Sequence, residues 1–359
     1  MSFKMMDNDI IRGGLMFLFC LFLSFVLIKV IIRLTRNKKF HSTTQENLEK
    51  IRGYKDSVSA LGGIAFLIAF PISAFIFLDL KNPVSVLIIC TFLAFGIIGL
   101  VDDLFKLKNK DKDNLQSNSG LSIKSRTAMQ VVFSLIIAVS INAIHPFTNT
   151  VFIPFLDLAV DLGWFYFVFV FIVMFCTVSG FNFTDGIDGQ AGKVAISVLT
   201  SLAVLTVIVS NIDIATMFNL QFLDLTSEVF VALLGSIGMM LAFLWFNTKP
   251  AKIFMGDSGS YSVGALIAIS AIIIKQEILF ALFAIILVVE FVSSLLQVLY
   301  FRSTKIIYGK GKKIFLMAPY HHHLEMKGIS RNRIATIFTI VSIVSSVFVF
   351  IALRLTAVI

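Results

Sequence analysis

The chain reads WFYFVFVFIVMFCTVSGF over 164–181, NFTDGIDG over 182–189 and QAGKVAISVLTSLAVLTVIV over 190–209. Each apolar run is about as long as the roughly 20 residues that a helix needs to cross about 30 Å of hydrocarbon. The loop between them carries carboxylates, and a charged group at the bilayer centre costs roughly 2.5 to 3.5 kcal/mol on insertion scales. The stretch therefore predicts two transmembrane helices joined by a polar loop at one membrane surface.

The composition extends this prediction to the whole chain. Of the 359 residues, 58% are hydrophobic and 14% are charged, whereas soluble proteins have about 25% charged residues. The mean hydropathy is +0.94, and the period-two alternation of a membrane β-barrel is absent. We predict an all-α, polytopic integral membrane protein, which excludes an ordinary soluble enzyme.

Further apolar runs predict a bundle of about ten transmembrane helices that forms a single membrane-embedded domain, residues 1–359. The segment 210–228 is long enough for a short interfacial helix, and the three cysteines, each within an apolar run, are expected to be free thiols. The predicted spans are about 10–32, 60–78, 84–101, 127–144, 163–181, 190–209, 229–246, 261–274, 278–300 and 334–353.

The basic residues predict the orientation of the chain in the membrane. Ten spans place both termini on one side, and 24 of the 30 Lys and Arg residues lie in or directly beside the loops on the other side. The positive-inside rule makes these loops cytoplasmic and both termini periplasmic, that is, external. The net charge of +9 therefore suits anionic lipids or an anionic substrate and does not indicate a nucleic-acid partner. The predicted cytoplasmic loops are about 33–58, 102–126, 182–190, 247–257 and 301–333.

Two of the cytoplasmic loops carry paired carboxylates. Asp102 and Asp103 follow the third span, where a helix end would disfavour negative charge. They are a solvated pair neutralised by nearby lysines, or they provide a base or a magnesium-side carboxylate. Asp185 and Asp188 stand beside glycines that permit close approach of a ligand, or they form a polar reverse turn. An EF-hand is excluded here because it needs a twelve-residue loop that ends in Glu.

Two further patches complete the polar surface. In NTKPAKIFMGDSGS, residues 247–260, Asp257 or Ser258 is predicted to cap the eighth span, and Phe254 either stacks on a planar ligand or packs on lipid. In APYHHHLE, residues 318–325, three consecutive histidines cannot converge on one metal from a helix, so they suit a phosphate better than zinc. Carboxylates, Mg²⁺ and surrounding cations are the parts of a phosphoryl-transfer site, and a membrane bundle is explained if one substrate is a lipid.

The Asp-Asp pair, NFTDGIDG, NxxPAKxFMGDxGS and APxHHHxE, in this order, resemble the motifs of the polyprenyl-phosphate N-acetylhexosamine-1-phosphate transferases. The resemblance covers nearly the whole chain, and APYHHHLE is similar to the branch that acts on muramoyl-pentapeptide. It implies Mg²⁺-dependent transfer of phospho-N-acetylmuramoyl-pentapeptide from UDP-MurNAc-pentapeptide to undecaprenyl phosphate, which gives lipid I and UMP. It also implies the bacterial inner (cytoplasmic) membrane, with the active site on the cytoplasmic face, and leaves open whether the chain forms a homodimer.

The same resemblance assigns roles to individual residues. It implies that Asp257 is the metal ligand and that Asp102 is the base for the lipid phosphate, with Asp103 beside it. Phe254 would stack on the uracil and Asn247 would hold the substrate. The other residues implied are Asn182, Asp185 and Asp188 on the nucleotide side, His321, His322 and His323 at the diphosphate, and Lys55, Lys106, Lys110 and Arg126 as further cations.

The chain departs from the family pattern in two places. The loop at 52–63 keeps Lys55 and a Gly pair but lacks the usual His and Thr-Pro-Thr core, and a polar insertion stands at 111–119. A sister transferase that loads UDP-GlcNAc or a related sugar phosphate is an alternative, although APYHHHLE argues against it. A transporter is a more distant alternative. The carboxylates of a transporter should lie within the spans, and in this chain only Glu290 lies within a predicted span.

Overall fold

The computed structural model describes residues 3–35, 58–109, 120–144, 149–156, 158–224 and 226–357. Lys55, Lys110, the insertion at 111–119 and the first part of the divergent loop at 52–63 lie outside the described residues. The predictions made for them therefore stay predictions.

Helices form almost all of the described chain, and two short strands pair as an antiparallel hairpin with Thr150 opposite Asp161. The helices are α1 (Phe3–Thr35), α2 (Gly63–Phe77), α3 (Pro83–Asn109), α4 (Ile123–Ile144), α5 (Phe165–Thr184), α6 (Gln190–Val209), α7 (Ile212–Met217), α8 (Ser227–Asn247), α9 (Gly256–Ile273), α10 (Glu277–Phe283), α11 (Ile285–Tyr308), α12 (Tyr320–Met326) and α13 (Arg331–Thr356), and the strands are β1 (Thr150–Ile153) and β2 (Leu158–Asp161).

The predicted class and helix number are confirmed. Within the described residues, 9 helices are long and apolar enough to cross a membrane, and α2 is a further apolar helix of 15 residues. Together they account for the predicted spans. The short helix α7 lies where an interfacial helix was predicted, and the three cysteines are free. The sidedness of the termini stays a prediction.

Two local predictions were wrong, and one feature was not predicted. The ninth span is not one helix, because the chain leaves helical geometry at Ala284 between α10 and α11. The third span does not end at Asp102, since α3 continues to Asn109. The hairpin between α4 and α5 was not predicted, because its strands have only 4 residues each and carry little pattern.

Helix α9 is the most enclosed part of the bundle, with 89% of its residues buried, and it packs against α2, α3 and α5. Close packing depends on glycine at two crossings. A Cβ atom on Gly99 of α3 would overlap the backbone of Asp257, and one on Gly63 of α2 would overlap the backbone of Gly259. The start of α9 is thereby held directly against α3, which carries the Asp102-Asp103 pair.

The opposite end of the bundle is joined by an ion pair. Glu228, at the start of α8, is 3% exposed and accepts hydrogen bonds from the Arg12 guanidinium at 2.8 and 2.9 Å. Its carboxylate also accepts from the Asp79 backbone N–H at 2.9 Å and from the Ser85 hydroxyl at 3.3 Å. One carboxylate therefore ties α1 and α3 and the turn after α2 to α8.

We expect Glu228→Ala to lower the free energy of unfolding by about 3 kcal/mol, because the Arg12 cation and the Asp79 N–H lose their shared partner. Denaturant unfolding in mixed micelles measures this loss. The exposed Asp224 supplies the control, since Asp224→Ala removes a carboxylate that faces solvent. A loss no larger than that of the control would contradict the assigned role of Glu228.

Candidate active site

Two motifs that are far apart in sequence share one lysine. The Lys106 ammonium lies 2.7 Å from Asp102 Oδ2, one turn earlier on α3, and 2.7 Å from Asp257 Oδ2 on α9. The Arg126 guanidinium lies 3.7 Å from the same Asp102 oxygen and 3.6 Å from the same Asp257 oxygen. Two carboxylates that would repel each other are therefore held together by two cations.

The loop 182–189 contacts this cluster through the side-chain amide of Asn182. Asn182, in the last turn of α5, donates from Nδ2 to Asp257 Oδ1 at 3.0 Å and to the Ser260 hydroxyl at 2.8 Å. Asp257 therefore has a neutral donor on one oxygen and a cation on the other. Ser260 was not predicted as a site residue, and it follows Asp257 by one helical turn.

Asp103 caps α9 from another helix. Its carboxylate accepts from the backbone N–H of Asp257 at 3.0 Å and of Ser258 at 2.9 Å. The prediction that Asp257 or Ser258 caps this helix was wrong, because the helix begins at Gly256 and Met255 is its N-cap. A carboxylate here satisfies free N–H groups and complements the positive end of the helix dipole.

Asp102 is covered by Gly120 and Leu121, two residues of the predicted loop 102–126 that were not themselves predicted to belong to the site. The Leu121 backbone N–H donates to Asp102 Oδ1 at 2.7 Å, and Asp102 is 0% exposed. A Cβ atom on Gly120 would overlap the Asp102 carboxylate, and only glycine avoids this overlap. In the sequence, Gly120 is the one residue that could have indicated this contact.

Asp185 carries a buried oxygen, Oδ1, with no hydrogen-bond partner among the described residues. Desolvation raises the pKa of Asp185 well above its usual range, and the neighbouring carboxylates of Asp257, Asp103 and Asp188 add to the shift. A carboxylate in this position is stabilised by any cation that enters beside it. Without such a cation, the raised pKa favours the protonated, neutral form of Asp185, and a cation that enters would displace this proton.

The other residues of this loop connect it to the segment 247–257. Asn247 is 0% exposed and uses both ends of its amide, since Oδ1 accepts from the Gly189 N–H at 2.8 Å and Nδ2 donates to the Ile253 carbonyl at 2.8 Å. Asp188 accepts from the Ala251 N–H at 3.3 Å. Both side chains hold one loop against the other, a task that was not predicted for them.

Phe254 is half-buried at the edge of the same segment. Its backbone N–H donates to the Ser59 carbonyl at 2.8 Å, and its carbonyl accepts from the Gly62 N–H at 2.9 Å. The described end of the loop at 52–63 therefore fixes the backbone of Phe254 and leaves its ring partly exposed. Stacking on a planar ligand stays a prediction.

The first histidine of the fourth motif lies beneath loop 182–189. His321 is 1% exposed, its Nδ1 lies 2.6 Å from Glu290 Oε2, and its backbone N–H donates to Glu290 Oε1 at 3.1 Å. Its Nε2 has no hydrogen-bond partner among the described residues and faces Gly186, where a Cβ atom would overlap the ring. Glu290 was noted in the sequence only as a carboxylate within a span, and its histidine partner comes from a distant segment.

The second and third histidines, in α12, are less buried than the first. His322 Nδ1 lies 3.2 Å from Glu325, which also accepts from Arg331 at 2.7 Å. His323 Nδ1 accepts from the Leu316 N–H at 3.1 Å. Desolvation, with a smaller contribution from Lys327, lowers the pKa of His323, so this ring is neutral near neutral pH. The three histidines therefore differ in burial and in partners.

The carboxylates of the cluster are the side chains that could bind a divalent cation. Within the described part of the chain, no three His, Cys, Asp or Glu side chains converge as a ready metal cage. Mg²⁺ does not need one, because it is usually held by one or two carboxylates together with waters and substrate phosphates. The unpaired Asp185 oxygen and the carboxylate of Asp257 in the same cluster fit that requirement.

Comparison with known proteins adds to this geometry. A family model described as glycosyl transferase family 4 matches residues 85–275, which carry the first three motifs. Phospho-N-acetylmuramoyl-pentapeptide-transferase of Rickettsia prowazekii (strain Madrid E) is 33% identical over 347 residues, 96% of this chain and 93% of that protein.

Two further relatives carry the same name. The protein of Sulfurimonas denitrificans is 34% identical over 346 residues, 96% of this chain and 95% of its own length. That of a Wolbachia strain from Drosophila simulans is 39% identical over 297 residues, 82% of this chain and 84% of its own length. The chain belongs to the phospho-N-acetylmuramoyl-pentapeptide-transferase family, within glycosyl transferase family 4.

Proposed function

We propose that the protein transfers phospho-N-acetylmuramoyl-pentapeptide from UDP-MurNAc-pentapeptide to undecaprenyl phosphate, which gives lipid I and UMP in peptidoglycan synthesis. The observation that carries the proposal is the Lys106 ammonium that bridges Asp102 and Asp257, two carboxylates of separate motifs. Such a cluster of carboxylates and cations suits the meeting of two phosphate-bearing substrates. The names of the relatives contain the transferred group, phospho-N-acetylmuramoyl-pentapeptide, and the resemblance of the motifs adds the UDP donor and the undecaprenyl phosphate acceptor.

The reaction exchanges one pyrophosphate linkage for another. An oxygen of the lipid phosphate attacks the phosphorus that bears the sugar, the bond to the uridine-bearing phosphate breaks, and UMP leaves with the bonding electrons. Because one such linkage replaces another, little net driving force is needed. Catalysis then depends on bringing two anionic phosphates together and neutralising their charge.

The basic side chains of the cluster perform that neutralisation. Lys106 and Arg126 lie between the Asp102 and Asp257 carboxylates and can turn to substrate phosphates when these enter. Asp102, with one oxygen on the Leu121 N–H and the other on Lys106, is placed to accept the proton of the lipid phosphate. Asp103 holds the start of α9, and with it Asp257, in register with α3.

Asp257 and Asp185 are the residues that would hold Mg²⁺. Two observations support this assignment: the buried Asp185 oxygen has no hydrogen-bond partner among the described residues, and Asp257 lies in the same group of carboxylates. Mg²⁺ supplies Lewis-acid polarisation of the diphosphate and charge neutralisation. Asn182 keeps the Asp257 carboxylate oriented from its other oxygen.

The nucleotide is expected to lie along loop 182–189 and Phe254. Phe254 is only partly buried, which suits stacking of its ring on uracil. Gly186 makes room for the His321 ring beneath the loop. Asn247 and Asp188 support these surfaces through the backbone contacts that join the two loops. His322 and His323 are less buried than His321, which supports their proposed contact with the diphosphate.

We further propose that the enzyme lies in the cytoplasmic membrane of a bacterium, as a single catalytic domain with the site on the cytoplasmic face. The charge distribution supports this orientation, since 24 of the 30 Lys and Arg residues lie in or beside the loops on the side of the site. A soluble UDP-linked substrate would reach the site from that side.

The purified full-length protein, supplied with undecaprenyl phosphate and Mg²⁺, should release UMP from UDP-MurNAc-pentapeptide and far less from UDP-GlcNAc. A coupled assay for UMP, with lipid I identified by mass spectrometry, measures both reactions. Equal release from the two nucleotides, or release from UDP-GlcNAc alone, would assign the chain to a sister transferase instead. No release from either would overturn the proposed function.

We expect Asp188→Asn to raise the KM for the UDP substrate more than it lowers kcat. Asp188 accepts from the Ala251 N–H and thereby supports the segment that carries Phe254, whereas Lys106 bridges Asp102 and Asp257. Steady-state kinetics in both substrates separate the two effects, with the exposed Asp213→Asn as control. An effect confined to kcat would show that Asp188 acts on the chemical step.

We expect Glu290→Gln to lower kcat/KM by about tenfold, because hydrogen bonds to a charged group contribute roughly 1.5 to 3 kcal/mol and the amide cannot accept both bonds from His321. Glu277→Gln is a matched control, since Glu277 is also buried, at 3% exposed against 0% for Glu290, but belongs to α10 and to none of the four motifs. Both variants should keep the elution profile of the parent. Equal activity of the two variants would remove Glu290 from the site.

A further inference from the structure

A groove outside the proposed active site runs between three helices. It is lined by α6 from Lys193 to Val204, by Leu241 and Leu244 of α8, and by α13 from Thr339 to Phe350, and its volume is about 510 Å³. None of the four motifs contributes a residue to it. The groove is therefore separate from the Asp102–Lys106–Asp257 cluster.

Three hydroxyl groups that line the groove, those of Ser201, Thr339 and Ser346, already have hydrogen-bond partners within the protein. Ser201 and Ser346 bond to each other across α6 and α13 at 2.8 Å, and the Ser346 hydroxyl also lies 2.8 Å from the Ser342 carbonyl. The Thr339 hydroxyl donates to the Ala335 carbonyl at 2.7 Å. The remaining walls between these hydroxyls are mostly hydrocarbon, from side chains such as Ile196, Leu241 and Ile343.

The groove opens sideways, toward the surface that faces lipid in a membrane bundle. Val204 is 43% exposed and Val347 is 53% exposed at its mouth. Lys193 and Val204 are separated by eleven residues of α6, which at about 1.5 Å per residue is roughly 17 Å. Half of a hydrocarbon core of about 30 Å is about 15 Å. The groove is thus as long as one leaflet is thick.

One charged side chain lines this groove, at the membrane-surface end of α6. Lys193 lies in the first turn of α6, where the helix dipole disfavours a cation, and its Cε lies near Gly189 at that surface. Among the described residues it has no carboxylate partner, although it is half-buried. An ammonium in this position is stabilised by an anion supplied from outside the described chain.

We propose that this groove binds one anionic phospholipid from the leaflet on the side of the active site. One acyl chain lies along α6 between α8 and α13, and the lipid phosphate lies against Lys193. The hydrocarbon walls, the leaflet length and the unpaired cation at one end match the three parts of such a lipid. The undecaprenyl chain is longer than the groove, and its phosphate must reach Asp102, which argues against the carrier lipid as the occupant.

The experiment is a lipid titration of the delipidated full-length protein in mild detergent, followed by native mass spectrometry. The probes are dioleoyl phosphatidylglycerol, which is anionic, and dioleoyl phosphatidylcholine, which is zwitterionic. We expect one phosphatidylglycerol to bind more tightly than phosphatidylcholine. Lys193→Gln should weaken phosphatidylglycerol binding about fivefold, the contribution of one basic residue near a membrane surface.

Matched variants test the two ends of the groove separately. Lys305→Gln removes an exposed lysine on α11 and should leave the affinity unchanged. Val347→Trp fills the groove and should abolish the first binding event, whereas Val344→Trp, at a residue of α13 that is 59% exposed and outside the lining, should not. Thermal unfolding checks that each variant is folded.

Three results would overturn the proposal. In the first, Lys193→Gln and Lys305→Gln bind phosphatidylglycerol equally well. In the second, undecaprenyl phosphate displaces the bound phospholipid one for one, which would assign the groove to the carrier lipid. In the third, the groove is covered by a second copy of the chain, so that the protein is a dimer that Val347→Trp dissociates and to which no lipid binds.

Discussion

Replacing Asp257 by asparagine is expected to lower kcat by about a thousandfold or more, the largest effect that the site predicts. Asn keeps the size of the side chain and can still accept from Asn182 at one position. It cannot balance Lys106, which lies 2.7 Å from Asp257 Oδ2, and it cannot hold Mg²⁺ as a carboxylate does. UMP release at saturating concentrations of both substrates measures the loss.

The metal dependence of the variant distinguishes a metal role from a purely structural one. If Asp257 holds Mg²⁺, the residual activity of Asp257→Asn should need a higher Mg²⁺ concentration than the parent enzyme. Asp213→Asn, an exposed carboxylate, should change neither quantity. Near-normal turnover with an unchanged Mg²⁺ requirement would remove Asp257 from the mechanism.

The sequence predicted which segments form the site, because charged groups that interrupt hydrocarbon runs must collect at a membrane surface. Asp102, Asn182 and Asp257 belong to three such interruptions, and the structure places them around Lys106. Sequence patterns carry this information because each helix end is set locally. They do not say which helix ends meet.

The contacts that were not predicted all join distant segments. Glu290 with His321, Asp103 with the start of α9, and Leu121 with Asp102 each link residues that no local pattern relates. The misplaced N-cap has the same origin, because a side chain from α3 replaced the local cap that was expected at Asp257 or Ser258. A free helix start predicts that a cap exists and does not identify its source.

The structure explains why the divergent loop at 52–63 keeps its Gly pair. Its described end forms a parallel bridge between Ser59 and Ile253, and Gly62 and Gly63 donate to the carbonyls of Phe254 and Met255 at 2.9 and 2.7 Å. A side chain at Gly63 would overlap Gly259. The Gly pair is therefore needed for packing against the segment that carries Phe254, independently of any substrate contact made by the rest of the loop.

Asp102→Asn is expected to lower kcat by about 10²- to 10⁴-fold, the usual contribution of a general base, with little change in stability. The asparagine oxygen can still accept from the Leu121 N–H, which now lies 2.7 Å from Asp102 Oδ1, but its amide has no basic lone pair for the lipid phosphate proton. Single-turnover rates of UMP release, measured across pH, isolate this step from product release.

The neighbouring carboxylate provides the comparison that makes this result decisive. Asp103→Asn should destabilise the protein as well as slow it, because Asp103 accepts from the N–H groups of Asp257 and Ser258 and an amide can accept only one of these bonds. If Asp102 is the base, its variant is inactive but as stable as the parent, whereas the Asp103 variant loses stability. The reverse pattern would transfer the role of base to Asp103 and leave Asp102 as a support for Lys106.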